Sequence, residues 1–309
     1  MIMETIIEVS HLKKYFKDGK AVDDISFQVE KGELFGFLGV NGAGKTTTIQ
    51  MLTTLFSPTE GEVRICGLKL GEENEKIKHH IGVVGQNNSL DKHLTIQENL
   101  LLRGGLYLDS KKLLKANLEQ VCQLLDLTEV LKRPYGKLSG GQKRRAEIGA
   151  ALMHTPKILF LDEPTTGLDP ATRKQVWTVI ANLQKNLHMT VFLTTHYMEE
   201  AANASHIAIL NKGNIREFGT PFSLKEKFAK DRLRLIPKQN ASQPLLQRIS
   251  DLKLVYKQKE ESILISLDCT LNALALLEKF KNDLQGFEVI QGTMDDVFLN
   301  AMKGDKCYE

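Results

Sequence analysis

An α/β fold with a mainly parallel central sheet is predicted for the larger, N-terminal part of this chain, with a small α+β unit after it. Three observations predict the α/β part. Short apolar runs alternate with helical stretches. One run, KILFLDEP (157–164), stays apolar until its two acids, as expected of a strand covered on both faces. A glycine-rich loop, residues 39–46, lies directly between a strand and a helix.

In chain order, ELFGFLG (33–39) reads as a strand and TTTIQMLTTLF (46–56) as the helix that follows. SPTEG (57–61) is a turn broken by Pro58 and Gly61. GEVRICG and IGVVGQ read as further strands, KILFLDEP as the next, Ala171 to Leu187 as a helix, and TVFLTTH (190–196) and HIAILNKG (206–213) as strands. Residues 96–153 break this rhythm: they are Leu-rich, polar-interleaved and poor in strand signals, and KKLLKANLEQVCQLLDL (111–127) has helical spacing throughout, so a helical subdomain of about 93–153 is expected as an insertion. Beyond residue 225 the pattern is LRLIP as strand, SQPLLQRIS as helix, KLVYKQ and SILISL as a hairpin around KEE, LNALALLEKFKNDL as helix and FEVIQGT as strand, closed by the helix MDDVFLNAMK. That β-α-β-β-α-β order is the ferredoxin-like pattern. The expected domains are therefore 1–225 and 226–309.

Composition narrows the function classes. The 309 residues are 42% hydrophobic and 26% charged, an ordinary globular balance able to bury a core. With 41 Lys and Arg against 38 Asp and Glu, the net charge of +3 lacks the basic excess of a dedicated nucleic-acid binder, so no nucleic-acid partner is expected. Cys66, Cys122, Cys269 and Cys307 are scattered and form no C-x-x-C pair, which argues against a disulfide framework or zinc site and fits a reducing cytoplasm. MIMETIIEVSHLKK has no apolar h-region, and no apolar run approaches the ~18 residues of a membrane span, so any membrane connection is expected through a partner.

The chemistry concentrates in two motifs. Gly39, Val40, Asn41, Gly42, Ala43, Gly44, Lys45 and Thr46 form G-x-x-x-x-G-K-[ST], with Thr47 next in the helix. Glycines let the backbone wrap phosphates with its N–H groups inward, and the helix start adds the positive end of its dipole. Lys45 is expected to reach the β- and γ-phosphates of ATP, and the Thr46 hydroxyl to hold Mg²⁺. In the second motif, four apolar residues carry a strand to Asp162 and Glu163. Asp162 suits the Mg²⁺ shell, and Glu163 is the candidate general base for the attacking water.

Leu138, Ser139, Gly140, Gly141 and Gln142, lying between these motifs, spell LSGGQ, the signature of ABC ATPases, and here the chain resembles that family. A plain reading of LSGGQ is a helix start capped by Ser139, whose free N–H groups attract anions. The resemblance implies a P-loop NTPase cassette in which this helix start meets the γ-phosphate of ATP held by a second cassette. It also implies that Tyr15 stacks on adenine, although Phe16 is a rival ring and a half-buried strand tyrosine a purely structural alternative. Gln86 matches the Q-loop, which touches Mg²⁺ or water and faces the membrane subunit. Asp169 matches the D-loop, and His196 matches the switch histidine that senses the γ-phosphate. The closing MDDVFLNAM is similar to cassettes of drug- and antibiotic-resistance exporters.

Because family members carry the P-loop and the signature on opposite sides of one domain, the resemblance implies two chains meeting head to tail around two ATP, as a homodimer or with a second cassette. The implied partner is a separately encoded transmembrane permease, on the cytoplasmic face of the membrane. The alternatives from other classes are a soluble ABC-type ATPase acting on ribosomes or DNA, and a nucleotide-dependent regulatory module. The first of these is disfavoured by a single cassette and by the lack of a long heptad run.

Overall fold

The computed structural model describes residues 4–17, 19–239, 241–259 and 261–302. Two compact units make up the chain, Met1–Phe218 and Gly219–Glu309.

In the first unit, six strands form one sheet in the order Asn214–Gly219, His206–Asn211, Leu34–Gly39, Thr190–Thr195, Ile158–Asp162 and Ile81–Val84. The last five of these are joined in parallel. Every residue of Leu34–Gly39, Ile158–Asp162 and Thr190–Thr195 is buried, which is why these strands read as continuous apolar runs and not as alternating ones. A second sheet was not expected as such. Gly19–Glu30, Thr5–Phe16, Glu60–Ile65 and Leu68–Lys69 form it, with antiparallel neighbours. GEVRICG therefore contributes to this sheet and not to the parallel one.

Aromatic packing joins the two sheets. Phe27, from the antiparallel sheet, lies 5.4 Å from Phe35 and 5.5 Å from Phe37 between ring centres. Phe192 sits 5.2 Å from Phe35 and 5.4 Å from Phe160. Rings at these separations contribute packing energy beyond their area burial, about 0.5–1.5 kcal/mol a pair.

Between the strands that end at Val84 and begin at Ile158 the chain is helical, as the Leu-rich stretch implies. The helix Ile96–Gly105 opens with a capping box between Thr95 and Glu98, Lys111–Leu124 is capped by Ser110, and Gly140–Leu152 by Ser139. This region is hooked to the preceding loop by a buried acid: Glu147 accepts from Ser89 N and Oγ, both at 2.8 Å, and from the Tyr135 hydroxyl at 2.8 Å.

The second unit starts earlier than the expected residue 226. Its first helix, Pro221–Phe228, is capped by Thr220 and pairs with Met294–Met302, and Asn300 Nδ2 donates to the Phe228 carbonyl at 2.7 Å. A four-stranded sheet follows, ordered Tyr256–Lys259, Ser262–Leu267, Asp231–Pro237 and Leu284–Ile290, each neighbour antiparallel. Helices Ser242–Asp251 and Asn272–Phe280 close a core of Leu233, Leu235, Leu245, Ile249, Ile265 and Phe280. Cys66, Cys122 and Cys269 are free thiols, and Cys307 lies outside the described residues. No helix among the described residues is long and apolar enough to cross a membrane.

Phe192 touches four other rings of the first unit. Phe192→Ala should therefore destabilise that unit by about 3–5 kcal/mol, read as a lower urea midpoint for its transition. A shift below about 1 kcal/mol would mean that the ring cluster does not join the sheets.

Candidate functional site

The site is built where three parallel strands end on the same side. Leu34–Gly39 delivers the chain into the glycine-rich loop, and the helix Lys45–Leu52 leaves it. Gly44 has φ +104°, and a Cβ there would meet the Ala21 carbonyl oxygen at 2.4 Å, so this position admits only glycine. Gly42 has φ +81° and open space where a Cβ would stand, which leaves a backbone cradle free of side chain. Ala43 is buried, and its N–H is spent inside the loop on the Val40 carbonyl at 3.1 Å.

Lys45 folds back over this cradle. Its ammonium donates to the carbonyls of Gly39 at 2.8 Å and Val40 at 3.2 Å, and lies 3.3 Å from Glu163 Oε1. The two side chains are only 4% and 7% exposed. Glu163 follows the strand Ile158–Asp162 with φ +46°, a left-handed backbone that costs a non-glycine residue about 1–3 kcal/mol and concentrates at functional sites.

Glu163 Oε2 is the convergence point. The Thr166 hydroxyl donates to it at 3.0 Å, His196 Nδ1 lies 3.1 Å away and Gln86 Nε2 3.5 Å away. Burial pushes the Glu163 carboxyl up, but the Lys45 charge, the Thr166 hydroxyl, the Lys45 hydrogen bond and the His196 ring outweigh burial and hold it below the usual carboxylate range. A lowered carboxyl stabilises the fold above its ordinary titration range, and that contribution is lost as pH falls through the lowered value.

Asp162 is held beside it. Thr194 Oγ1 donates to Asp162 Oδ1 at 2.6 Å and accepts from Glu163 N at 3.0 Å. Thr46 Oγ1 donates to the same Asp162 oxygen at 3.3 Å. A hydroxyl and a carboxylate oxygen facing each other beside the cradle are hard donors of the type Mg²⁺ prefers. No group of three His, Cys, Asp or Glu side chains able to hold a metal occurs among the described residues, so a divalent ion at Thr46 and Asp162 would complete its shell from phosphate and water oxygens.

A cavity of about 560 Å³ opens over this cluster, with Asn41, Gly42, Lys45, Thr46, Thr47 and Glu163 on its wall, Gln86 at one side and Phe16 at another. Phe16 is 46% exposed there. Tyr15, the expected ring, is not on this wall. Successive residues of a strand face opposite ways, and the Tyr15 hydroxyl is turned to Asp23 Oδ1 at 3.3 Å, with the Lys20 ammonium 5.3 Å from its ring centre.

The remaining expected residues lie elsewhere. Ser139 Oγ accepts from Gln142 N at 3.3 Å, and Gln142 Oε1 accepts from Ser139 N at 3.1 Å, a closed capping box at the start of Gly140–Leu152. Asp169 caps Pro170–Leu187, accepting from Thr172 N at 3.0 Å and from the Thr172 hydroxyl at 2.5 Å, and these bonds hold its carboxyl below the usual range. The two helix starts are neighbours: a Cβ on Gly141 would meet Thr172 Cγ2 at 2.6 Å. Neither joins the wall of the 560 Å³ cavity. Sequence reasoning overlooked Thr166 and Thr194. The available signal for Thr194 was a polar residue inside a strand with no exposed position.

With Lys45→Ala, burial acts on Glu163 against weaker opposition. The Glu163 carboxyl, followed by ¹³C NMR in nucleotide-free protein, should titrate higher in the variant than in the parent. An unmoved titration would remove Lys45 as the cause of its lowering.

Residues 22–166 match the family model described as ABC transporter. The probable multidrug ABC transporter ATP-binding protein YbhF of Escherichia coli is 37% identical over 248 residues, which are 80% of this chain but 42% of that protein, so the chain spans less than half of YbhF. A solved structure of the ATP-binding cassette MJ0796, a dimer in a post-hydrolysis state bound to ADP and Pi, superposes with a TM-score of 0.64 at 27% identity, over 70% of this chain and 99% of that one. The daunorubicin/doxorubicin resistance ATP-binding protein DrrA of Streptomyces peucetius is 35% identical over 301 residues, 95% of this chain and 91% of that protein. With a relative at 35% identity matched almost end to end, the chain belongs to the ABC transporter family, among its ATP-binding proteins.

Proposed function

We propose that this chain is the ATP-hydrolysing subunit of a transporter and drives a separately encoded permease from the cytoplasmic face of the membrane. The observation that carries this reading is the convergence of Lys45, Gln86, Thr166 and His196 on Glu163 beside an open glycine cradle. Names of the relatives, multidrug and daunorubicin/doxorubicin resistance, support drug export and weigh against a soluble ATPase working on ribosomes or DNA.

The residues divide the work as follows. The backbone of 39–44 and the Lys45 helix start bind the triphosphate. Phe16 supplies the adenine platform in place of Tyr15. Thr46 and Asp162 would hold Mg²⁺, assisted by Gln86, and a bound ion would supply charge neutralisation for the triphosphate. Without nucleotide, Lys45 neutralises Glu163. When phosphate oxygens take the Lys45 ammonium, Glu163 loses its closest cation, its carboxyl rises, and it becomes a stronger base for the attacking water. His196 on Oε2 orients that carboxylate.

Ser139, Gly140, Gly141 and Asp169 stand off the cavity, which supports a role across a dimer, where the capped helix start meets the γ-phosphate of ATP held by a second cassette. The permease is assigned to a groove of about 440 Å³ lined by Leu55, Val83, Ser89, Arg103, Leu106 and Tyr107, where Leu55 and Leu106 are exposed.

Glu163→Gln should keep ATP affinity, lose about 10²–10⁴-fold in hydrolysis rate, and accumulate as a dimer with ATP in size-exclusion chromatography with light scattering. Parent-like turnover would refute the base assignment. The parent should be mainly monomeric without nucleotide, and a tight nucleotide-independent dimer would show that the pair is held elsewhere.

A further inference from the structure

Below the Glu163–His196 contact lies a carboxylate with no part in the chemistry above. Glu200, in the short helix Met198–Ala201, is 3% exposed. Its two oxygens accept from two different segments. The Thr165 hydroxyl donates to Oε1, and the Thr195 hydroxyl donates to Oε2 at 2.6 Å. Thr165 lies just beyond Glu163 in the chain, and Thr195 immediately precedes His196. Both threonines are buried.

The position of this bridge matters. The parallel ladder between Ile158–Asp162 and Thr190–Thr195 ends at the pair Asp162 and Thr194. Past that pair Glu163 N still reaches the Thr194 carbonyl at 3.2 Å, but the backbone turns left-handed at Glu163, so the ladder fixes where each turn starts and not where the Glu163 and His196 side chains meet. Glu200 spans the gap where the ladder stops. Thr195 Oγ1 also accepts from Tyr197 N at 2.9 Å, which closes the turn around His196. The Tyr197 ring packs on the His196 imidazole at 4.1 Å between centres, and the Arg173 guanidinium covers the Tyr197 ring at 3.9 Å. Arg173 Nε reaches within 4.0 Å of Glu200 Oε1.

A side chain that only fills space here needs no charge. A buried carboxylate is costly unless its oxygens are satisfied, and this one is satisfied by the two hydroxyls that flank the reacting groups. We infer that Glu200 is a positioning residue for hydrolysis: its carboxylate staples the Thr165 loop to the Thr195–Tyr197 turn and so holds His196 Nδ1 against Glu163 Oε2. This rests on the ATPase reading given above.

The full-length chain carries the test. Glu200→Gln keeps the volume and removes one acceptor, while Thr165→Val and Thr195→Val each remove one hydroxyl and leave Glu200 in place. With rates normalised to folded protein, Glu200→Gln should lower kcat for ATP by about 10–100-fold, the scale of a small misplacement, with KM for ATP within about twofold. Each valine variant should lose less, and should add little when combined with Glu200→Gln, because all three remove one bridge. In nucleotide-free protein the ¹⁵N signals of the His196 ring should move in Glu200→Gln and in Thr195→Val. Unchanged kcat per folded molecule in all three variants, together with unmoved His196 signals, overturns the inference. A parent that does not hydrolyse ATP would sink the ATPase reading instead, and the His196 signals would still decide whether Glu200 positions that ring. Should Glu200→Gln not fold, the two valine variants decide the question by the same measurements.

Discussion

The pairing of Lys45 with Glu163 is the constraint on which the rest of the site depends. Two opposite charges, each more than nine-tenths buried, sit 3.3 Å apart. Taking either out of water is expensive, and only a close partner with further hydrogen bonds makes it tolerable. Two backbone carbonyls complete the ammonium, while Thr166, His196 and Gln86 complete the carboxylate. Removing one member leaves the other charged, buried and short of a partner. The pair is therefore stable by itself and yet open to exchange: a phosphate oxygen offers Lys45 a better anion, and the loss of Lys45 changes the basicity of Glu163.

That exchange has a geometric cause in the sheet. Leu34–Gly39, Ile158–Asp162 and Thr190–Thr195 are parallel and adjacent, so their carboxyl ends open on one edge, where crevices form in α/β folds. The loop leading to Lys45, Glu163 next to the strand-end Asp162, and His196 each follow one of these three strands. Phe27, Phe35, Phe160 and Phe192 pack the sheet below them. A rigid aromatic floor and three strand ends fix the distances between residues that the chain separates widely. Thr194 and Glu200 then hold the last residues where the ladder runs out.

Most of the groups gathered at the candidate site are legible in the sequence. G-x-x-x-x-G-K-T can be recognised because its glycines answer to backbone sterics, as Gly44 shows, and the two acids after an apolar run mark a buried strand reaching a site. The helical stretch between Val84 and Ile158 was legible from Leu spacing, and Thr220-Pro221 was an available cap signal for a second unit that begins before residue 226. Less was visible in the antiparallel sheet. Val22, Ile25, Phe27 and Val29 are all buried, but Thr5–Phe16 carries bulges and a left-handed His11 that break its alternation.

By itself the sequence determined which chemistry is possible: a glycine cradle, one lysine, two adjacent acids and a histidine at a strand end, each set by local backbone geometry or by residue type. Tertiary structure decided which of two neighbouring rings faces the cavity, since Tyr15 and Phe16 differ only in the side of the strand they occupy and in the reach of Asp23. It also decided that Ser139 lies off the wall of the cavity over the Lys45 cradle, and that Glu200 meets Thr165 and Thr195. These are relations between segments distant in the chain, and short-range pattern carries no record of the packing that brings them together.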